Sequence, residues 1–496
     1  MNPNRASLAA AVTRWGWLPL ATLVLLASCR TAEKADRATR KPTPPTFSQT
    51  DRELQLRSFD HVWETVRDRH WDPTLGGIDW EAQRDELRPR VEKAKTADEA
   101  RAAIQTLLSR LGQSHFAIFP ADVYDDLREP EEETSATNDT PALASPGDAS
   151  PPTATATATS GPDTDEEPRD EPGDATSKKK KEGEAGLTVR VLEGKALVTS
   201  VLEGSKAESL RVKPGWAILS IEGWDLAPAI ERASTREHGE LLAMGIMGRL
   251  DGKLGDTRSV TFENGTGQTI KLEIPLIAAR GSATAFGNLP KIQVYFESRK
   301  LEGNVGYMTF NMFFDPVNLM KGVNEAVREF KDCRGVIIDL RGNPGGIGGL
   351  SMGLASHFVK EKGQQLGRMI TRAGEMKFAL FPRSRPFEGP LAILVDELTA
   401  STSEIFAGGM KDIGRARIFG HTSMGAALPS IIERLPSGDG FQYAMANYIS
   451  DGGEPLEGNG VIPDEEIRPT REQLLEGRDP VLEAAVRWIV SSPTEG

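Results

Sequence analysis

The chain has 496 residues, 38% hydrophobic and 26% charged, enough for several globular units. Its formal net charge of −13 argues against a nucleic-acid partner, because phosphate binding needs a basic surface. No His/Cys/Asp/Glu cluster in it has ligand spacing, so neither a metal nor another cofactor is expected.

Arg5 and Arg14 precede an apolar run from Trp15 to Leu26. The run is shorter than the ~20 apolar residues a membrane span takes and has signal-peptide layout. Leu26-Ala27-Ser28-Cys29 resembles a bacterial lipobox. Cleavage before Cys29 would leave a diacylated cysteine and a stable anchor, with a plain signal-anchor helix as the simpler alternative. Arg30 stands where an aspartate commonly marks inner-membrane retention. The resemblance therefore implies a lipid anchor in the bacterial cell envelope, the outer membrane favoured, with the body facing the periplasm. Cys333 then lacks an intrachain disulfide partner and is expected to pack as a small buried hydrophobe.

Basic, Pro/Thr-containing residues up to 46 read as a tether. Leu54, Phe59, Val62, Trp63 and Val66 lie at near-helical spacing and open a helical unit over 47–127, with Trp63 as a core residue. Residues 128–184 are a Pro/Ala/Thr/Asp/Glu mixture ending in the run Lys178 to Lys181. Such a segment buries too little apolar surface to offset chain entropy and reads as a disordered linker. Gly186-Leu187-Thr188-Val189-Arg190-Val191, together with Val212 to Gly223, looks like a PDZ domain over 185–277. In that likeness Gly186, Leu187, Thr188 and Val189 bind a peptide C-terminus by strand addition, and a domain that only gates a neighbouring site is the alternative. From 278 to 490 the buried runs Val305–Phe310, Val336–Leu340 and Leu391–Val395 read as strands. Asp315-Pro316 caps a helix bearing Leu319, Val323, Val327 and Phe330. Ser430 to Leu435 and Phe441 to Ala446 form a hairpin, and Asp479-Pro480 caps a last helix before the tail at 491–496.

The chemistry concentrates after the Leu391–Val395 strand, in Asp396-Glu397-Leu398-Thr399-Ala400-Ser401-Thr402-Ser403-Glu404. A serine at a strand-to-helix turn sits where free N–H groups and the helix dipole favour developing negative charge, so Ser401 is a candidate nucleophile. The same letters spell a capping box, Ser401-x-x-Glu404, which is the structural alternative. Upstream, Asp339-Leu340-Arg341-Gly342-Asn343-Pro344-Gly345-Gly346 ends a strand in glycines that can bring a backbone N–H close to a reacting group. With Thr399 to Gly408 and Leu456 to Asp464, these blocks resemble the tail-specific, or C-terminal processing, serine peptidases (family S41) and their relatives in the tricorn core protease.

The resemblance implies an α+β multidomain fold: an N-terminal helical domain, a PDZ-like β-rich domain and a mixed α/β crotonase-like peptidase core. It also implies protein or peptide substrates, engaged through their C-termini. Processing-type members use a Ser-Lys dyad with the lysine in a Gly-Lys-Gly turn. Here the matching segment is His421-Thr422-Ser423-Met424-Gly425-Ala426-Ala427, with Ala426 at the lysine position. Lys411 is close in sequence but reads as a solvated helix-end cation. Leu111-Gly112-Gln113-Ser114-His115-Phe116 is instead similar to the Ser-His pair of the tricorn-type branch. The resemblance then implies Ser401 as nucleophile, His115 as base, Ser114 as bridge and Glu457, or Glu454 in the same loop, as orienting carboxylate. Thr402 and Gly345 or Gly346 would supply the oxyanion N–H groups. His421 is the rival base, expected to be structural or substrate-lining. The competing function is a non-catalytic peptide- or lipophile-binding protein on the same fold, which loss of the lysine favours.

Overall fold

The computed structural model describes residues 47–121, 124, 182–236, 239–285 and 292–493. The readings placed on the signal peptide at 1–28, Cys29, the tether and the linker up to Lys181 lie outside these residues.

The near-helical apolar spacing after residue 47 becomes helix α1 (Gln49–Arg69), opened by a reciprocal capping box between Ser48 and Asp51. Helices α2 (Trp80–Glu92) and α3 (Ala97–Ser109) pack on it. Phe59, Val62, Trp63, Leu87, Ile104 and Leu107 form the interior, each burying about 1.5–3 kcal/mol of apolar side chain. Trp63 is a core residue, 3% exposed. Beyond α3 the chain turns through Gly112 and His115, both at positive φ, into strand β1 (Ala117–Phe119).

A second region holds the antiparallel sheet β2 (Leu187–Leu192), β3 (Lys195–Val201), β4 (Ala217–Ile221), β5 (Thr257–Glu263) and β6 (Thr269–Pro275), paired in that order. Helix α4 (Gly239–Leu250) lies against β2, so Val189, Ile246, Leu250, Val260 and Phe262 share one core.

The third region is a six-stranded sheet in the order β7 (Phe296–Leu301), β8 (Val305–Phe310), β9 (Gly335–Asp339), β10 (Leu391–Val395), β11 (Arg417–Gly420) and β12 (Glu465–Glu466). Only the β7–β8 pair is antiparallel. The period-2 alternation of the strands sorts their side chains onto two faces. Ile338, Leu391, Ile393 and Val395 meet helices α5 (Pro316–Glu329), α6 (Gly348–Ala355) and α7 (Thr402–Asp412). Ile337, Ala392 and Leu394 meet α8 (Pro480–Ser491). Asp315 and Asp479 cap α5 and α8 as their sequence contexts predict, and Cys333 is buried in the first face.

The hairpin has strands β13 (Ser430–Arg434) and β14 (Gly440–Ala444), and β1 adds to β14 antiparallel. By packing it belongs with the helices, although its sequence position put it in the core. Leu428, Leu435, Phe441 and Tyr443 join the α1–α3 cluster. Asp439 in its turn accepts from Gln55 Nε2 at 3.0 Å, Arg101 Nη1 at 3.1 Å and Ala121 N at 3.0 Å.

Candidate active site

Strands β9 and β10 run parallel and side by side, so the loops leaving their C-terminal ends meet, as expected for a site on a parallel sheet. After β10 the turn is closed by Thr399, whose hydroxyl donates to Leu340 O at 2.9 Å and accepts from Asp396 N at 3.0 Å. Ser401 follows at the N-cap of α7 with φ 54° and ψ −119°, a conformation that strains a side chain with a Cβ. Its N–H is held by two acceptors at 2.9 Å, Ala426 O and Glu404 Oε2. The Glu404 half of the capping box is thus present, the Glu404 N–H donates to the Ser401 carbonyl, and the Ser401 hydroxyl has no hydrogen-bond partner among the described residues, His115 included.

The loop after β9 is fixed to this turn by Asn343, 1% exposed. Its Oδ1 accepts from Gly345 N at 3.0 Å and Ser403 Oγ at 2.9 Å, and its backbone O accepts from Ala400 N at 3.0 Å. Gly345 (φ 96°) is pressed against the serine: a Cβ there would lie 2.7 Å from Ser401 Cβ and from Thr402 N. A Cβ on Gly346 (φ 133°) would strike Phe313 O, so both positions require glycine. The N–H of Gly345 is committed to Asn343. The N–H groups of Gly346 and Thr402 have no protein acceptor among the described residues. Of the two glycines left open by the sequence, Gly346 has the available donor.

His115 and Ser114 arrive from the helical unit between α3 and β1 and are both buried. Ser114 Oγ lies 2.7 Å from His115 Nδ1 and donates to Glu457 Oε2 at 2.9 Å, while Ser114 N donates to Glu457 Oε1 at 2.6 Å. A hydroxyl has one proton, so Ser114 spends it on Glu457 and accepts from His115 Nδ1–H. That tautomer leaves Nε2 as the basic atom. Burial pushes His115 down to about 4. Burial also raises the Glu457 carboxyl above its ordinary range, opposed by the Ser114 donors. Glu454 is exposed, with only its backbone O drawn into the Ser450 turn, so the Ser114 partner is Glu457.

The two halves are joined by consecutive residues. Ala426 O accepts the Ser401 N–H, and Ala427 N donates to Glu457 Oε2 at 3.1 Å. Ala426, at the expected lysine position, is 1% exposed. Its turn is organised by Glu404, a fully buried carboxylate accepting from Ser423 Oγ at 2.6 Å, Gly425 N at 2.7 Å and Ala426 N at 2.9 Å. Burial pushes Glu404 up to about 7. The sequence marks it only as a cap, because its other partners lie in the following turn.

Lys411 sits at the far end of α7, about 15 Å from Ser401 at 1.5 Å per residue. It is pinned rather than freely solvated: Nζ donates to Ile462 O at 2.6 Å and pairs with Asp464 at 3.1 Å. The His421 ring faces Glu466 at 3.2 Å and the Arg468 guanidinium, and the His421 backbone N–H donates to Val395 O. Burial, and then Arg468, depress its pKa. Sequence reasoning also missed Arg190 on β2, whose guanidinium reaches Asp396 Oδ2 at 2.6 and 2.9 Å. Asp396 Oδ1 accepts from Gly342 N at 2.8 Å, so this ion pair ties β2 to both loops of the site.

Gly186 (φ 72°) packs against Ser205, and Leu187 and Thr188 pair with Val201 and Ser200 of β3. Val189 lies in the core beneath. The other edge of β2 pairs with no strand among the described residues. Val191 of β2 and Ala243, Met244 and Met247 of α4 pack with Leu398 and Met424, on the loops flanking Ser401.

Residues 304–467 match the peptidase family S41 profile, and residues 56–109 match the tricorn protease C1 domain. The chain is 27% identical over 286 residues to the carboxy-terminal processing protease CtpB of Bacillus subtilis (strain 168), covering 56% of this chain and 54% of the relative. It is 27% identical over 273 residues to the carboxyl-terminal-processing protease of Picosynechococcus sp., covering 54% and 59%. The alignments thus span little more than half the length of these curated relatives. Among solved structures, the photosystem II D1 C-terminal processing protease aligns with a TM-score of 0.51 at 18% identity, covering 88% of this chain and 98% of that one. Mature CPAF aligns with a TM-score of 0.54 at 11% identity, covering 90% and 99%. These two likenesses show a shared mixed helix-and-sheet fold.

Proposed function

We propose that this chain, whose residues 304–467 match the peptidase family S41 profile, is a serine endopeptidase of that family in which His115 rather than a lysine activates Ser401. The observation that carries the reading is the hydrogen-bond chain from half-buried Glu457 through buried Ser114 to buried His115, linked to the Ser401 backbone through Ala426 and Ala427. His115 Nε2 takes the Ser401 Oγ proton as the oxygen attacks the scissile carbonyl, then returns it to the leaving amine. A water repeats the cycle on the acyl-enzyme. Thr402 N–H and Gly346 N–H receive the oxyanion, where one such donor is worth about 10²–10³ in rate. Glu457, acting through Ser114, stabilises the imidazolium.

In this reading the six-stranded sheet with its helices is a crotonase-like peptidase core over 278–490. The sheet at 185–277 is a PDZ-like domain whose open β2 edge, at Gly186 to Val189, takes a substrate C-terminus. The substrates are proteins or peptides. The lipobox-like Leu26-Ala27-Ser28-Cys29 supports a lipid-anchored protein of the bacterial envelope, facing the periplasm, with the outer membrane favoured.

The test is labelling of the purified protein by a peptidyl phosphonate that reacts with activated serines. Labelling of wild type at Ser401 and none of Ser401→Ala is expected. An unlabelled, folded wild type would instead favour the binding-protein reading, which the alanine at position 426 supports.

A further inference from the structure

Asn343 bridges the two loops through both its side chain and its backbone and is not itself a reacting group. All its hydrogen-bonding groups are used. Nδ2 donates to Phe310 O at 2.8 Å, Oδ1 accepts from Gly345 N and Ser403 Oγ, N donates to Leu340 O, and O accepts from Ala400 N. The contacts reach the end of β8, the glycine loop, the turn before Ser401 and the first turn of α7.

We propose that Asn343 is a positioning residue that sets the register of the oxyanion hole, holding the Gly345 N–H away from the reacting centre so that Gly346 N–H and Thr402 N–H are the donors that meet the oxyanion. The inference rests on the reading of Ser401 as nucleophile.

Two amides next to each other in a loop cannot both point the same way unless the backbone is bent into an anion nest. Here the direction of each is fixed independently. Asn343 Oδ1 captures Gly345 N–H, and Phe313 N–H captures Gly345 O at 2.7 Å, orienting the peptide that carries the Gly346 N–H. Thr402 Oγ1 donates to Gly346 O at 2.7 Å and secures the loop from the other side. Without the Asn343 amide, Gly345 N–H becomes an unpaired buried donor free to turn toward Ser401, and the first turn of α7 loses the Ser403 bond to the loop. The Ser403 hydroxyl shares the Asn343 acceptor, so the register is coupled to the first turn of α7.

The experiment compares wild type, Asn343→Ala and Ser403→Ala in two readouts: the rate of phosphonate labelling at Ser401, and KM against kcat on one peptide substrate. The phosphonate reads the oxyanion hole because its adduct carries a tetrahedral anionic centre. Asn343→Ala is expected to lower labelling rate and kcat together by about 10²-fold, the cost of a misplaced catalytic group, with KM within about threefold. Ser403→Ala, which leaves Asn343 and its other bonds in place, is expected to lose roughly threefold to tenfold in the same two quantities, the equivalent of one neutral hydrogen bond. A folded Asn343→Ala that labels at the wild-type rate overturns the inference. Should that variant fail to fold, wild-type labelling and kcat in Ser403→Ala overturn it equally. A wild type that does not label at all removes the nucleophile reading instead, so the two failures are distinguishable.

Discussion

His115 is held neutral by burial, which pushes it down to about 4 from its ordinary 6.5. A base must be unprotonated in the free enzyme, so the acid limb of kcat/KM is expected near pH 4 rather than near 6.5. A pH–rate profile on a substrate without titratable groups checks this, and an acid limb at 6.5 contradicts it. The same depression is a stability statement. A His depressed in the fold contributes stability that is present above 6.5 and lost as pH falls through about 4, on the order of 3 kcal/mol. Glu404 runs the other way: raised to about 7, its contribution is present below its ordinary 4.5 and lost as pH rises through 7. Ser401, Ser114, His115 and Glu457 were legible in the sequence because each sits in a recognisable local string. Asn343 and Arg190 were not, since what they do is defined by partners such as Ser403 and Asp396, brought near only by the fold.

At the level of elements, the site is built where the parallel neighbours β9 and β10 end, and β2 reaches in to brace it. Arg190 and Asp396 are nearly buried, and Asp396 also holds Gly342 N–H. Arg190→Ala leaves that carboxylate without its cation, and breaking a buried pair costs about 3–5 kcal/mol. The variant is therefore expected to lose about that much in urea denaturation and to lose kcat as well, because the freed aspartate no longer anchors both loops. Unchanged stability together with unchanged kcat would show that the pair is incidental. The core strands were legible nearly residue for residue because short, mainly apolar runs of five or six, bounded by turn residues, suit strands buried between helical layers. The destination of the β13–β14 hairpin was not. Its alternation fixes which face is apolar, but nothing local says that the face belongs to α1–α3, whose residues lie more than 300 positions upstream.

Across the whole molecule, His115 and Ser401, the proposed base and nucleophile, come from separate regions of the chain, and their meeting depends on the docking of the helical unit. Asp439, the β1–β14 pairing and the Glu457–Ser114 bonds are three separate ties across that junction. Arg372, in the turn between Gln365–Thr371 and Gly374–Ala379, adds a fourth by donating to the carbonyls of Arg67 and His70 at the end of α1. The proposed envelope location belongs to this scale too. Cys29→Ser is expected to release the protein from membranes or leave the precursor unprocessed, and unchanged fractionation with unchanged processing would remove the lipid anchor from the account. The central claim, that one unit of Ser401, His115, Ser114 and Glu457 performs the chemistry, is tested most directly by the kinetics of Ser401→Ala, His115→Ala and the double variant on one peptide substrate. The expected result is that each single change lowers kcat by several orders of magnitude and the double is scarcely worse, because members of one catalytic unit are not additive. Near-wild-type turnover in His115→Ala, or a collapse in His421→Ala alone, would contradict it.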